Sequence, residues 1–192
     1  MGTGREPATR ASNARDFFDF LRRGYPSVHA HLRATLSPAL LERIEEGVRT
    51  DWIPIDIDGP YVDAVLAYMG TDALKTASRH FVSQSLVRSP AIRSLFEGVL
   101  AVFGVNVGGF LRVLPAGFRQ SYRDAFTLTV ERAERDALVV FADIAPEVLR
   151  FEAYPVIWEG LFLGLYDLAR TPPKLEFTLL RSAARVEARF KW

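Results

Sequence analysis

The sequence has no cysteine, two methionines and three histidines in 192 residues. Without thiols there are no disulfides, thiolate metal sites, iron–sulfur clusters or cysteine nucleophiles. The histidines do not fill that gap. His29 and His31 are two apart and fall on different sides of a helix, whereas paired ligands on a helix need positions i and i+3 or i and i+4. Net charge is equally scarce: 24 Lys plus Arg against 23 Asp plus Glu leave +1, which provides no global attraction for nucleic acid or anionic lipid. Long apolar runs are missing too. The stretches around Val99 to Val107 and Val156 to Leu165 fall short of the roughly 18 residues that a spanning helix requires.

What is present is an ordinary globular composition, 49% hydrophobic and 24% charged, enough to bury one core. Residues 1–12 are rich in Gly, Pro, Thr and Arg with no apolar centre, so they read as a flexible tail and not as a secretory signal. A single α+β domain over residues 13–192 in a cytoplasmic setting is the expectation.

Its N-terminal half, residues 13 to about 122, reads as helical. A first helix carries Phe17, Phe18, Phe20 and Leu21 and stops near Gly24 and Pro26. A second has Val28, Leu32 and Leu36 in register, and Ser37-Pro38 opens a third with Leu40, Leu41 and Ile44 on one face. Asp51 to Pro60 holds two prolines and alternates Ile53, Ile55 and Ile57, so it reads as an extended crossing. Helices then follow over Tyr61 to Met69 and Thr71 to Val87. The segment carrying Ile92, Leu95, Phe96, Val99, Leu100 and Phe103 is apolar around more than half its circumference, which marks a central buried helix ending at Gly104. A short helix from Val107 and a turn at Pro115 to Gly117 complete this half.

After Arg123 the apolar period changes from near 3.6 to 2. Phe126, Leu128 and Val130 alternate with polar neighbours, and the turn Ala133 to Asp136 leads into Ala137 to Ile144. A helix follows with Tyr154, Trp158, Leu161, Phe162, Leu165 and Leu168 on its apolar face, halted by Thr171-Pro172-Pro173. Leu175, Phe177 and Leu179 and then Val186, Ala188, Phe190 and Trp192 form a second hairpin. The result is a four-stranded antiparallel sheet in a hairpin, helix, hairpin arrangement, packed on the helical half. Gly160 and Gly164, one turn apart, let the crossing helix approach the sheet or another helix closely.

Candidate chemistry is sparse. His80 on the Thr71 to Val87 helix could serve as an axial haem ligand or be a surface histidine. Asp51, Asp56 and Asp58 could hold a hard cation, Asp56 and Asp58 sharing a face of an extended chain, or could cap turns. Gly104 to Phe110 (GVNVGGF) lacks the lysine and preceding strand of a phosphate loop, and Ser83, Ser85 and Ser89 have no nucleophile-elbow context. Arg79, Arg88, Arg93, Arg112, Arg119 and Arg123 are interleaved with Phe81, Phe110, Phe118 and Tyr122; converging, they would bind an anionic ligand, and scattered, they would pair on the surface. Tyr154 and Trp158 carry polar handles on an apolar face and would line a pocket between the crossing helix and the helical half.

The order of elements, the Trp52-Ile-Pro triplet, the Phe103-Gly104 stop, the Leu-Pro-x-Gly turn within Val113 to Gly117, the Gly160 to Gly164 helix and the terminal Phe190-Lys-Trp192 strand resemble a family of about 200-residue myxobacterial paralogues of unknown function. That resemblance implies a bacterial source and a compact helix-plus-hairpin fold. The element order is also similar to haem-nitric-oxide/oxygen-binding domains and the related four-vinyl-reductase ligand-binding domains. The Tyr-x-Ser-x-Arg pattern with which the haem sensors hold propionates is absent here.

The function expected on these grounds is a non-enzymatic sensor or signalling adaptor. It would bind a small apolar or amphipathic ligand at His80, Arg119, Tyr122, Tyr154 and Trp158, or dock a signalling protein. Neither nucleic acid nor a membrane span is expected, and no catalytic or metal site. The alternatives are a haem-based gas sensor using His80, a protein-interaction module without ligand, and an enzyme using Asp51 to Asp58. A homodimer could form through the edge of the sheet or the exposed side of the Phe17 to Leu21 helix.

Overall fold

In the computed structural model, described over residues 6–85 and 106–192, the N-terminal half is helical and the C-terminal half carries a four-stranded antiparallel sheet. The α+β expectation holds. The helix expected over Ile92 to Phe103 and its stop at Gly104 lie outside the described residues, as do Arg88 and Arg93.

The chain enters through strand β1 (Ala8–Arg10), the centre of a small antiparallel sheet between β2 (Trp52–Pro54) and β3 (Tyr122–Arg123). The flexible-tail reading of residues 1–12 is therefore corrected from Ala8 onward: Ala8 and Thr9 are buried. Three residues are too few to display alternation, and both pairing partners are remote in sequence.

Helix α1 (Ala11–Gly24) buries Phe17, Phe18, Phe20 and Leu21. It is followed by α2 (Pro26–Thr35) and α3 (Pro38–Glu45), the latter capped by Ser37, whose Oγ accepts from the Leu40 N–H at 3.3 Å. The expected extended crossing over Asp51 to Pro60 is only half right. After β2 the chain turns at once into α4 (Ile55–Met69). Pro54 keeps extended angles immediately before the helix, and Pro60, its sixth residue, forgoes the one bond that an N–H there would make to the Asp56 carbonyl. This places Asp56 and Asp58 about 200° apart around a helix instead of on one face. Asp56 points outward and pairs with Arg150, and Asp58 is buried.

Helix α5 (Thr71–Ser85) precedes the gap in the described residues, and α6 (Val107–Ser121) follows it. Asn106 caps α6, its Oδ1 accepting from the Gly109 N–H at 2.8 Å. The turn expected at Pro115 to Gly117 is overturned, since α6 runs through both residues. Burial of Phe110, Leu111 and Phe118 on either side outweighs the lost hydrogen bond and the glycine entropy, which local rules count against a helix.

The main sheet comprises β4 (Thr127–Arg132), β5 (Asp136–Ala142), β6 (Leu175–Leu180) and β7 (Arg185–Lys191) in the order β4-β5-β7-β6. The short α7 (Pro146–Leu149) and the crossing helix α8 (Ala153–Leu168) join the hairpins. Val139, Phe141, Val186, Ala188 and Phe190 are fully buried against α8, which presents Trp158 and Phe162; the Trp158 and Phe141 rings stack with centroids 4.7 Å apart. The other side of α8 lies on α5. A Cβ on Gly160 would strike the Lys75 carbonyl and come within 2.6 Å of the Ser78 Cβ, and one on Gly164 would be 2.7 Å from the Val82 Cβ. Two ion pairs flank this seam: Lys75 to Glu159 at 2.9 Å, and Arg79 to both carboxylate oxygens of Asp167 at 2.6 and 2.5 Å. Among the described residues no helix is long and apolar enough to cross a membrane.

Candidate ligand cavity

The packing of α8 leaves a space on its helical side. α1, α4, α5, α6 and α8, with β1 and β3 at one end, surround a cavity of about 200 Å³. Its walls are mainly apolar: Phe17 and Ala14 from α1, Val62 from α4, Phe81 from α5, Phe110, Val113, Leu114 and Phe118 from α6, and Ile157, Leu161 and Leu165 from α8. Each helix contributes residues three or four apart, so the amphipathic spacing that builds the core also lines the void.

Polar groups interrupt this lining at a few points. Asp58, only 5% exposed, accepts a hydrogen bond on Oδ2 from the Tyr154 hydroxyl at 2.7 Å. Burial pushes its carboxyl up to about 6, an effect that the Tyr154 bond partly offsets; a buried carboxylate loses hydration that one hydroxyl does not replace. Burial and the neighbouring Asp58 charge push the Tyr154 hydroxyl well above its ordinary value, so it remains a donor. Ser78 lines the cavity too, and its Oγ is buried with no hydrogen-bond partner. The Tyr61 hydroxyl, also buried and unpartnered, is pushed up by burial and by Asp58. At the β1 end, Thr9 donates to the Ser121 carbonyl at 3.2 Å, and Asn13 Nδ2 donates to Thr9 Oγ1 at 3.3 Å and to the same carbonyl at 3.2 Å. Asp16 on the wall is held by Arg49, whose Nη2 lies 2.5 and 2.7 Å from its two oxygens.

The residues singled out from sequence separate cleanly. Tyr122 and Tyr154 line the cavity. Trp158 stands behind them, fully buried, its Nε1 donating to the Tyr122 hydroxyl at 3.4 Å. Arg119 and His80 are exposed and outside the lining. Among the described residues the arginines do not converge: Arg79 is tied to Asp167, Arg123 lies over the Trp52 ring with Arg10, and Arg112 is exposed. Among the described residues, no group of three or more His, Cys, Asp or Glu could hold a metal. Sequence reasoning missed Asp58 and Ser78 as cavity residues. The available signal was an aspartate inside the apolar run Ile53 to Val62, next to Gly59, against which the Phe151 ring packs so closely that no Cβ fits.

No protein-family model and no curated protein matches the chain. Solved structures do match in fold. An H-NOX protein mutant from K. algicida, in its unliganded Fe(II) form, aligns over 95% of this chain and 95% of its own, at 15% identity and a TM-score of 0.61. An oxygen-binding H-NOX domain related to soluble guanylate cyclases, in its oxygen complex, covers 95% of this chain and 94% of its own, at 12% identity and a TM-score of 0.62. A protein whose structure concerns haem redox potential and porphyrin distortion aligns over 95% of this chain and 99% of its own, with 13% identity and a TM-score of 0.64. The chain therefore shares the H-NOX fold, as its element order suggested.

Proposed function

We propose that this protein is a non-enzymatic sensor or adaptor module that binds a small apolar or amphipathic molecule in the cavity between its helical half and α8. One observation carries the reading: the cavity is walled by apolar side chains yet holds a buried carboxyl, Asp58, and a buried serine hydroxyl without a partner. Leaving such groups in an apolar wall costs stability, so their retention supports a binding role. The H-NOX likeness supports a sensing role by analogy of fold. Native mass spectrometry of freshly purified protein tests it; a bound small molecule is the expected result. Protein that arrives empty and takes up no apolar probe would leave docking of a signalling partner without a ligand.

A haem-based gas sensor is the second reading, favoured by the fold shared with haem proteins. The residues here do not fit that group. The three histidines are His29, His31 and His80. His29 packs on Phe18 with ring centroids 4.7 Å apart, His31 on Tyr68 at 4.3 Å, and His80 is exposed; none lines the cavity. No Lys, Arg or His is among the described lining residues to receive propionates. At about 200 Å³ the cavity is smaller than the roughly 300–1,000 Å³ of sites enclosing drug-sized ligands. An absorbance spectrum after haemin titration decides between the readings: a Soret band with defined stoichiometry would establish the haem sensor, and colourless protein removes it.

A further inference from the structure

Among the described residues that line the cavity, the charged groups are of one sign. Two carboxylates, Asp16 and Asp58, and no cationic side chain are among its described lining residues. Asp16 is already neutralised by Arg49. Asp58 has no ion pair among the described residues; the Tyr154 hydroxyl takes Oδ2, and Oδ1 accepts no hydrogen bond from a described side chain. Its place in the first turn of α4 turns the positive end of the helix dipole toward it, which favours the ionised form, while burial opposes that form. A buried carboxylate in this position has no cationic partner among the described residues. Ser78 Oγ, fully buried on the same cavity and unpartnered, supplies a second acceptor.

We propose that the cavity selects a small apolar amine, with its ammonium group against Asp58 and its apolar body between α6 and α8. The proposal rests on reading the cavity as a ligand site and adds the chemistry of the ligand. An ammonium group carries three donors and no acceptor, which complements a free carboxylate oxygen and a serine hydroxyl. Charge-assisted hydrogen bonds of this kind are about twice as strong as neutral ones. An anionic ligand would meet Asp58 with no cation among the described lining residues to offset it. The size is set by the void, since an apolar cavity of about 150 Å³ accommodates benzene, and about 200 Å³ leaves room for one ring with a short chain.

Calorimetric titration of the full chain with phenethylamine, phenethyl alcohol, phenylacetate and toluene at neutral pH tests this. The four share one apolar body and differ in the head group. The amine is expected to bind about tenfold or more tightly than the alcohol, and phenylacetate more weakly than either. In Asp58→Asn the amine and alcohol affinities should converge while toluene binding is retained. Tyr154→Phe frees Oδ2 but also removes a bond that favours the ionised carboxyl, so, titrated at pH 8, it should keep the amine preference, and it serves where Asp58→Asn does not fold. An alcohol or phenylacetate that binds as tightly as the amine, or an amine preference unchanged in Asp58→Asn or lost in Tyr154→Phe, overturns the amine assignment while toluene binding preserves the cavity reading. Failure of all four to bind removes both.

Discussion

Helix α8 divides the interior into two regions built from similar residues and finished differently. On its sheet side Trp158, Phe162 and Tyr166 meet Phe141, Phe190 and Phe177 with ring centroids between 4.7 and 6.2 Å apart. The one hydroxyl there, on Tyr166, donates to the Lys174 and Lys191 carbonyls at 2.9 and 3.1 Å. On its helical side Tyr154, Ile157 and Leu161 face a void containing a carboxyl and an unpartnered hydroxyl. Interiors normally fill space and satisfy polar groups. The sheet side obeys both rules and supplies stability. The helical side breaks both in one place, which sets it apart from a packed core.

The neighbours Phe162 and Leu161 face these two regions and give the sharpest contrast. Phe162→Ala, on the packed side, should cost about 3–5 kcal/mol of unfolding free energy, measured by denaturant titration. A loss below about 1 kcal/mol would show that the sheet side is not close-packed.

Asp58→Asn gives a smaller effect that depends on pH. The carboxyl has an ordinary value of 3.8 and titrates at about 6 in the folded chain. Below the lower value both states keep the proton and the group is neutral to stability. Between the two the unfolded chain releases its proton first, so stability falls as pH rises; above the upper value the loss is complete, on the order of 3 kcal/mol. The asparagine variant lacks this loss and should gain stability relative to the parent between pH 4 and pH 8. An equal difference at both pH values would contradict the burial of an uncompensated carboxyl.

Leu161→Ala should have the smallest effect, about 2 kcal/mol or less, because the side chain already faces a void and forfeits fewer contacts than a core leucine. The enlarged cavity should then accept a bulkier apolar probe. Equal costs at Leu161 and Phe162 would erase the distinction between the two sides.

The same contrast describes what was legible in the sequence. The sheet side could be read because period and burial coincide there: Val186, Ala188 and Phe190 alternate with Arg185, Glu187 and Arg189, and the structure buries the first set. Gly160 and Gly164 also announced a close approach, and α5 is the helix that makes it. Tyr154 was legible because a hydroxyl on an apolar face is unusual, whereas Tyr122 stood out as an aromatic interleaved with the arginines and lines the cavity without them. What escaped depends on tertiary pairing. β1 has three residues, and its partners lie in β2 and β3. Asp58 was misplaced because Pro54, Pro60 and alternating isoleucines imitate an extended chain, and only a helix starting at Ile55 turns that carboxyl inward. His80 and Arg119 were chosen for their chemistry, and their chemistry is what keeps them at the surface.

The glycine seam has a mechanical consequence. Because α5 and α8 touch backbone to backbone at Gly160 and Gly164 and are clamped by Arg79 to Asp167 and Lys75 to Glu159, they form a fixed jaw. The opposing jaw is α1 with α6, and its free ends are joined through the three residues of β1 and the two of β3. Thr9 and Asn13 tie β1 and α1 to the end of α6 at Ser121 on that opposing side. The first strand of the chain thereby fastens elements more than 100 positions away in sequence.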